Sequence, residues 1–406
     1  MVKCFVTGDN HFGIPYEGKL SDIRGVLIEA RYESLENMVR KANEENCDFF
    51  VITGDLFEKT DIGYIGGGNK KKGVDAVIRV IEILKNFNKT VVIIPGNHDY
   101  EDGTSTVWQE FNRQSVKYDR ILVLNEFRKK QFDDVNGNEV VFYPAYCQSE
   151  HSETNNLGWI RSEEIQTNNI INIGLAHGTI EGLSCDNEGV YFKMSKKELE
   201  DIPIDVWFIG HAHIPYPKEI AEDKSTKGIK IYNAGTHQQT DIGNYSEGYC
   251  FIVEIEKEGN EVFISARKWK SGVITFHEIK VNTVAGKDDA LKSELKKKIE
   301  EIKTKYDPDK SVIRVTIKGP AKFEEYGQKD SIYEELTKDF LFRYQPDWYD
   351  FFEEITPERI KDEFDENSLI AKFLNSFLTN KQSDENESKA MLNMAYGLIK
   401  KVRDGK

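Results

Sequence analysis

Residues 91–99 read Val91-Val92-Ile93-Ile94-Pro95-Gly96-Asn97-His98-Asp99 and carry the clearest structural signal in the chain. The apolar run from Val91 to Ile94 predicts a buried strand. Gly96 then permits a tight turn, after which an amide, an imidazole and a carboxylate follow one another. Such side chains beside a glycine turn have little purely structural purpose. The segment therefore predicts a functional loop at the end of a strand.

Four other segments place polar side chains directly after a predicted strand. They are Asp9-Asn10-His11 after 3–7, Gly54-Asp55 after Phe49–Thr53, His177-Gly178 after 170–176, and Gly210-His211-Ala212-His213 after 205–209. Taken singly, such a motif is often an ordinary turn or a capping pair. Open α/β sheets, however, bind their ligands at strand exits. Five such motifs in order predict one common site.

The side chains in these motifs are typical metal ligands. Carboxylates, imidazoles and an Asn amide, with no Cys among them, suit divalent ions such as manganese, iron or zinc, and they do not suit a structural zinc site. The candidate ligands are Asp9, His11, Asp55, Asn97, His177, His211 and His213. Seven are too many for one ion, but they fit two ions that share a bridging carboxylate. Two such ions, roughly 3.5–4 Å apart, would clamp a phosphoryl group for in-line attack.

The remaining pattern predicts an α/β fold with further segments after it. Strands alternate with helical stripes up to about residue 120 and dominate from there to 257, which favours a four-layer αββα sandwich. We place a boundary in the polar turn that follows, and expect residues 258–355 to form a small α+β capping domain. Residues 356–406 are predicted to form a helical segment.

Composition restricts the cellular setting and the partners. The five Cys have no C-x-x-C spacing, no apolar run is long enough for a membrane span, and the chain enters a strand at once. We therefore expect a cytoplasmic protein without membrane contact. The net charge of −15 is unusual for a nucleic-acid-binding protein, although residues 260–318 carry a net positive charge.

The motifs resemble those of the calcineurin-like metallophosphoesterases. Their surroundings resemble the SbcD-type nucleases, relatives of the eukaryotic double-strand-break repair nuclease subunit. The matching segments are Gly54-Asp55-Leu56-Phe57, His177-Gly178-Thr179-Ile180-Glu181-Gly182, and the run from Gly210 through Tyr232-Asn233-Ala234-Gly235-Thr236 to Glu247-Gly248-Tyr249. The resemblance is good over about 1–257, looser over 262–320 and only architectural beyond.

The resemblance implies a role for each motif residue. Asp9, His11 and His213 would hold one metal, Asn97, His177 and His211 the other, and Asp55 would bridge them. His98 would touch the scissile phosphate or the leaving oxygen, and Asp99 would orient its ring. The resemblance also implies manganese as the metal. The implied partners are DNA and an SbcC-type coiled-coil ATPase, with the chain as a homodimer within a heterotetramer.

Several residues are weaker candidates for contacts with the substrate. Glu58 occupies a position that is His in some relatives and Asp in others, and His237 lies in an unusual turn, where it is either a substrate contact or a solvated loop residue. Arg267, Lys268 and Lys270 form either a phosphate-binding patch with Trp269 or an ordinary amphipathic edge strand.

Residues 356–406 contain two amphipathic helical patterns joined by the polar tract Thr379–Ser388. Self-packing is the usual fate of such apolar faces. We nevertheless favour a partner, because the polar tract leaves the two helices little mutual support. In SbcD-type proteins the corresponding segment docks on the ATPase.

The sequence as a whole predicts a two-metal DNA exonuclease or endonuclease that processes double-strand breaks. One alternative is a phosphoesterase for phosphoproteins, nucleotides or cyclic nucleotides. Another is a scaffold that mainly binds an ATPase, which the full set of ligands disfavours.

Overall fold

The computed structural model describes the chain except for residues 183–188, 219–225, 228–229, 245, 380–384 and 404–406. It divides into two compact units, Met1–Thr275 and Phe276–Lys406. In the part of the chain that is described, no helix has the length and apolar character needed to cross a membrane.

The first unit alternates strands and helices before it becomes rich in strands, as the sequence predicts. Its strands are β1 (Val2–Thr7), β2 (Phe49–Ile52), β3 (Thr90–Ile93), β4 (Ile121–Val123), β5 (Lys130–Val135), β6 (Asn138–Ala145), β7 (Ile170–His177), β8 (Val206–Gly210), β9 (Thr226–Lys227), β10 (Ile231–Tyr232), β11 (Tyr249–Glu258) and β12 (Glu261–Lys270). Its helices are α1 (Arg24–Glu44), α2 (Ile62–Ile65), α3 (Lys70–Leu84), α4 (Thr106–Ser115), α5 (Gly158–Ser162) and α6 (Lys196–Asp201). Of the predicted strand at 229–232, β10 contains Ile231 and Tyr232, Lys230 lies outside the strand, and residue 229 lies outside the described residues.

Two sheets form the centre of this unit. One has seven strands in the order β4-β3-β2-β1-β11-β12-β9, and the other has five in the order β10-β8-β7-β6-β5. Strands β1 to β4 are parallel neighbours, as are β6, β7, β8 and β10. Parallel strands end at the same edge of a sheet, and so the loops after β1, β2 and β3 lie together, as do those after β7 and β8.

The alternation of side chains along the strands produces the layers. Phe5 of β1 packs with α1, α3 and α4 on one face of the large sheet, whereas Cys4 and Val6 pack between the two sheets. Val141 of β6 packs against α5 and α6 on the outer face of the small sheet. The predicted α/β sandwich, with helices on both outer faces, is therefore confirmed.

The predicted start of a capping domain at residue 258 is wrong. Strand β12 pairs antiparallel with β11 from Tyr249↔Lys270 to Glu258↔Glu261 and is the sixth strand of the large sheet. The polar turn at the supposed boundary is a tight hairpin, in which Gly259 adopts a φ of 61°. The division between the units falls instead after Thr275.

The second unit contains a four-stranded sheet and a helical tail. Its elements are β13 (Thr275–Asn282), α7 (Ala290–Lys303), β14 (Ser311–Ala321), α8 (Phe323–Gly327), α9 (Lys329–Thr337), β15 (Phe342–Arg343), β16 (Asp347–Glu353), α10 (Pro357–Glu363), α11 (Leu369–Thr379) and α12 (Glu385–Arg403). Side chains from α7, α9, β13, β14 and β16 share one core.

The tail helices pack on one another. Ile360 of α10, Leu374 of α11, and Leu392 and Tyr396 of α12 are buried in one cluster. The prediction that the two long tail helices support each other little is therefore wrong, although part of the polar tract, 380–384, lies outside the described residues. An apolar face nevertheless stays exposed, since Leu369 is 84% and Met394 71% accessible.

Candidate metal centre

The loops after β1 and β8 bring Asp9, His11 and His213 together. Nε2 of His11 lies 3.0 Å from Nε2 of His213, and the candidate ligand atoms of the three residues lie within 4.8 Å of one another. Asp9 Oδ1 accepts a hydrogen bond from the His211 amide at 2.8 Å, whereas the buried Oδ2 has no hydrogen-bond partner among the described residues. The group therefore offers a buried carboxylate oxygen and two ring nitrogens to a cation.

The loops after β3, β7 and β8 form a second group around Asn97. Its Oδ1 lies 3.0 Å from Nε2 of His177 and 2.9 Å from Nδ1 of His211. The other ring nitrogen of His177, Nδ1, donates to the Thr53 carbonyl at 2.8 Å, which directs Nε2 toward the amide. This arrangement fixes one ring nitrogen of His177 as the candidate ligand atom.

Asp55 contacts residues of both groups. Its Oδ2 lies 3.3 Å from Nε2 of His177 and 3.7 Å from Nε2 of His11, while Oδ1 accepts from the His98 amide at 2.8 Å. Its side chain is 1% exposed. Asp55 is thus the carboxylate that the geometry makes available to both groups.

Close packing and backbone strain hold these loops. Asp9, His11 and Asp55 have φ values of 50°, 48° and 51°, a left-handed conformation that is costly for residues other than glycine. A Cβ on Gly54 would lie 2.3 Å from Nδ1 of His177, and one on Gly210 would lie 2.1 Å from the Thr53 oxygen. Strain that is concentrated at candidate ligands indicates a site shaped for binding.

The electrostatics of the centre depend on burial and on the Asp55 charge. Burial would raise the pKa of Asp55, but the charge of His177 and its hydrogen bond hold it well below its usual range. Burial opposes protonation of His177, yet the Asp55 charge raises its pKa to about 9. Burial and the charge of His177 lower the pKa of His211 to about 4, and burial lowers that of His213. The last two rings therefore keep a free lone pair at neutral pH.

The donor set fits divalent cations. Acceptor oxygens from Asp9, Asp55 and Asn97 converge with imidazole nitrogens, and a cation would give the buried Asp9 Oδ2 the partner that it lacks among the described residues. Nitrogen and oxygen ligands without sulfur match borderline or hard divalent metals.

His98 differs from the candidate ligands in its exposure, although one of its ring nitrogens lies within 4.8 Å of ligand atoms of His11 and Asp55. Its side chain is 32% exposed, its ring meets the His11 ring edge-on at a centroid distance of 4.7 Å, and Nδ1 donates to the Glu58 carbonyl at 3.3 Å. A partly exposed imidazole beside a buried centre is accessible to a substrate, and the role of His98 toward the phosphoester stays a prediction.

The predicted role of Asp99 as the residue that orients His98 is wrong. Asp99 Oδ1 accepts from the Gly96 amide at 2.7 Å and Oδ2 from the Phe57 amide at 3.0 Å. Burial and the Asp55 charge raise its pKa to about 7. Asp99 therefore ties the loop after β2 to the loop after β3, while the carboxylate that faces His98 belongs to Glu58.

Two further predictions about substrate contacts are not supported. His237 is fully buried, with Nε2 donating to the Arg31 carbonyl at 3.2 Å, and it is therefore not a solvated loop residue. Arg267 is paired with Glu45 and Lys270 with Glu247, while Trp269 packs on the core beside Phe5. The three cations lie on β12 of the large sheet, and Trp269 is not free to stack on a base.

The structure also reveals a residue that the sequence analysis missed. Arg31 of α1 is 1% exposed, and its Nε donates to the Asn10 carbonyl at 2.9 Å, between two candidate ligands. The guanidinium thereby holds the strained loop after β1. The signal was present, because Arg31 lies at helical spacing between the buried Leu27 and Leu35.

Comparison with known proteins defines the class. The family model described as calcineurin-like phosphoesterase matches residues 2–215, which is more than half of the chain. The chain therefore belongs to the calcineurin-like phosphoesterase family. This is a family of metal-dependent hydrolases that use divalent metals, and the chain contains candidate ligand groups for them.

Solved structures show distant similarity to the chain. The TT1561 protein of Thermus thermophilus is 10% identical, with a TM-score of 0.35, over 62% of this chain and 93% of that one. A dimetal phosphatase from Danio rerio is 14% identical, with a TM-score of 0.28, over 55% and 72%. A 5'-nucleotidase from Candida albicans SC5314 is 15% identical, with a TM-score of 0.31, over 63% and 47%. The family assignment rests on the match over residues 2–215.

Proposed function

We propose that this chain is a two-metal DNA phosphodiesterase, the nuclease subunit of an SbcCD-like complex that processes double-strand breaks. The observation that carries the proposal is the convergence of two groups of buried ligand atoms on Asp55, with the partly exposed His98 beside them. This arrangement suits hydrolysis of a phosphoester. The choice of DNA is supported by the motif segments shared with SbcD-type nucleases.

The candidate ligands would bind the two metal ions in two groups. One divalent ion would be held by Asp9, His11 and His213. The other would be held by Asn97, His177 and His211, and Asp55 would contribute to both. We propose that the ions are manganese. When bound, the ions would neutralise the charge that develops on a phosphoryl group. Because the ligands are buried in fixed positions, the positive charge would be in place before the reaction, and the site would not have to rearrange to supply it.

His98 would handle the proton of the leaving group. Because Nδ1 donates to the Glu58 carbonyl, Nε2 is the ring atom left to carry a proton to a departing 3′-oxygen. The amide of His98 donates to Asp55 Oδ1, so the residue that presents the proton is tied directly to the shared carboxylate.

Exposed cations near the start of α3 support a polyanionic substrate despite the acidic net charge. Lys70, Lys71 and Lys72 are exposed and form no ion pair within the described part of the chain. Cations at a helix N-terminus oppose the helix dipole, so they do not serve the helix itself. They offer contacts to DNA phosphates that the paired cations of β12 do not.

The proposed partner is an SbcC-type coiled-coil ATPase, bound to a homodimer of this chain in a cytoplasmic heterotetramer. The exposed apolar face of the tail, which includes Leu369 and Met394, supports this part of the proposal. Four buried free cysteines, Cys4, Cys47, Cys147 and Cys250, are compatible with a reducing compartment.

The test is a substrate panel on one preparation. The protein is loaded with Mn²⁺ and given duplex DNA, single-stranded DNA, a cyclic nucleotide, a nucleotide monoester and a phosphopeptide, with Asp55→Ala as the control. We expect metal-dependent cleavage of DNA that the control lacks. Turnover of only the monoester, phosphopeptide or cyclic nucleotide would establish the alternative phosphoesterase function, and no turnover with retained ATPase binding would establish the scaffold.

A further inference from the structure

The carboxylate of Glu58 lies between the rings of His11, which is buried, and His98, which is partly exposed. Oε2 accepts a hydrogen bond from Nδ1 of His11 at 2.9 Å, and Oε1 lies 3.7 Å from Nδ1 of His98. The side chain is 14% exposed. One carboxylate thus contacts a candidate metal ligand and approaches the candidate proton donor.

We propose that Glu58 is a positioning residue that acts through both histidines. The proposal deepens the proposed function and rests on it, since it assumes that His11 holds metal and that His98 meets the phosphoester. It gives Glu58 the role that the sequence pattern suggested for Asp99, whose two oxygens are occupied by main-chain amides.

The backbone of Glu58 is fixed to the loop that it serves. Its amide donates to the Phe12 carbonyl at 3.0 Å, directly after His11, and Phe12 forms an isolated parallel bridge with Phe57. Residues 57 and 58 therefore move with the loop after β1. A rotation of the Glu58 side chain would break its hydrogen bond with His11, and a shift of its main chain would break the hydrogen bond to Phe12.

The direct partners of the Glu58 charge are imidazoles, and the Arg31 guanidinium acts on it from a greater distance. Among the residues that the structure describes, its ion-pair contacts are to His11 and His98, and no Lys or Arg lies within pairing distance. A largely buried carboxylate with no permanent cation in direct contact is costly for stability. A residue kept only for packing would not need that charge, and so the geometry points to a role toward the two rings.

Each carboxylate oxygen has a distinct consequence. The Oε2 bond fixes the His11 ring so that Nε2 faces His213 and Asp55, as a carboxylate does for a ligating histidine. Oε1 lies on the Nδ1 side of the His98 ring and would help to hold that edge of the ring toward Glu58, which leaves Nε2 for the substrate. Glutamine keeps an oxygen acceptor for His11 and removes the charge, whereas alanine removes both.

The experiment compares Glu58→Gln and Glu58→Ala in the full chain. Glu110→Gln is the matched control, because the Glu110 side chain is 13% exposed and hydrogen-bonded to Arg113, outside the site. Mn²⁺ affinity is measured by calorimetric titration of the metal-free protein. The constants kcat and KM are measured with bis(p-nitrophenyl) phosphate, and folding is checked by thermal melting.

We expect Glu58→Ala to weaken Mn²⁺ binding about 10- to 100-fold, as removal of such a partner does at other metal sites. Glu58→Gln should bind Mn²⁺ within about 3-fold of the wild type but lower kcat about 10-fold or more, with KM nearly unchanged. Unchanged Mn²⁺ affinity in a folded Glu58→Ala protein, or an unchanged kcat in Glu58→Gln, would overturn the proposal. If Glu58→Ala fails to fold, the Glu58→Gln result decides.

The metal titration separates this proposal from the proposed function. It needs no substrate, so a wild-type protein that binds Mn²⁺ but cleaves no diester contradicts the function and leaves the effect of Glu58 on His11 measurable. A wild-type protein that cleaves diesters while both Glu58 variants match it contradicts only the role of Glu58.

Discussion

Nε2 of His11 and Nε2 of His213 face each other at 3.0 Å, although the two residues are 202 positions apart in the chain. His11 follows a strand of the large sheet and His213 a strand of the small sheet, so their contact joins the two halves of the sandwich. Two imidazole nitrogens at this distance need a shared proton or a cation between their lone pairs. Burial lowers the pKa of His213, whereas for His11 burial is outweighed by the Glu58 hydrogen bond and the Asp55 charge, which raise its pKa, so the pair fits one shared proton or one cation.

The first prediction separates metal binding from proton transfer. Asp55→Ala should lose both metal and activity, because Asp55 contacts His11 of one group and His177 of the other. His98→Ala should keep its metal but lose a factor on the order of 10²–10⁴ in diester hydrolysis. Metal content after dialysis and hydrolysis of bis(p-nitrophenyl) phosphate are measured on both variants.

The contrast between the variants is the informative result. His98 contributes its main-chain amide to Asp55, and this amide remains in the alanine variant, so the loop after β3 should stay in place. A His98→Ala protein that no longer retains its ions would show that the ring is itself a ligand, and the division of roles would fail.

The ligands could be recognised from the sequence because each follows a predictable strand. The motif after Val91–Ile94 needs only local information, and parallel strands then bring three of the loops to one edge of the large sheet and two to one edge of the small sheet. The partners of Asp99 and Glu58 were not predictable in this way. Their identity depends on which amide or imidazole groups face each carboxylate when two loops meet, and the local sequence pattern does not contain that information.

Long-range packing explains the other errors. His237 follows a glycine turn that looks exposed, but the turn folds under α1 and buries the ring beside Phe12. Strand β12 has the alternation of an edge strand, and β9 pairs only with its Ser265 and Ala266, yet Trp269 packs beside Phe5. In both cases the local sequence pattern does not show which other part of the fold will cover the side chain.

The second prediction is a pH dependence of stability caused by His237. Burial holds its folded-state pKa well below the usual value, whereas the unfolded chain takes up a proton near pH 6.5. Below that pH the unfolded state binds more protons, so the free energy of unfolding falls as the pH falls from about 6.5 toward the lower folded-state pKa. The limiting slope is about 1.4 kcal/mol per pH unit for one proton.

Chemical denaturation of the metal-free protein between pH 5 and 7.5 measures this dependence. His237→Gln keeps a donor for the Arg31 carbonyl but cannot titrate, and its curve should be flatter by up to that slope below pH 6.5. Parallel curves for the two proteins would mean that His237 titrates normally in the folded state. Other histidines contribute equally to both curves and cancel in the difference.

The third prediction concerns DNA binding at the start of α3. Replacing Lys70, Lys71 and Lys72 by Glu should weaken DNA binding and reduce the slope of log affinity against log salt by about 0.9 for each phosphate that is no longer neutralised. The helix itself should not suffer, because acidic residues are favourable at a helix N-terminus. Fluorescence anisotropy with duplex DNA at several salt concentrations gives both quantities.

The matched variant for this measurement is Lys268→Glu with Lys270→Glu on β12. Lys270 is already paired with Glu247, and the Lys268 ammonium lies 4.1 Å from the Tyr249 ring centroid, so we expect a smaller change in DNA affinity. Both proteins should hydrolyse a small diester at the wild-type rate. A larger effect from the β12 pair would return the DNA-binding surface to that strand.

The last prediction uses the two faces of the tail. Leu374 is fully buried in the tail cluster, whereas Leu369 and Leu398 are 84% and 55% exposed. Leu374→Ala should destabilise the tail by about 2–5 kcal/mol through the cavity that it leaves. Leu369→Glu combined with Leu398→Glu should leave thermal melting and small-diester hydrolysis unchanged, because neither side chain is buried, yet it should abolish binding of the ATPase coiled coil in sedimentation experiments. If the double variant still binds the ATPase, the exposed face is not the docking surface. If it melts at a lower temperature instead, the face packs within the protein itself, and the partner would have to be recognised elsewhere.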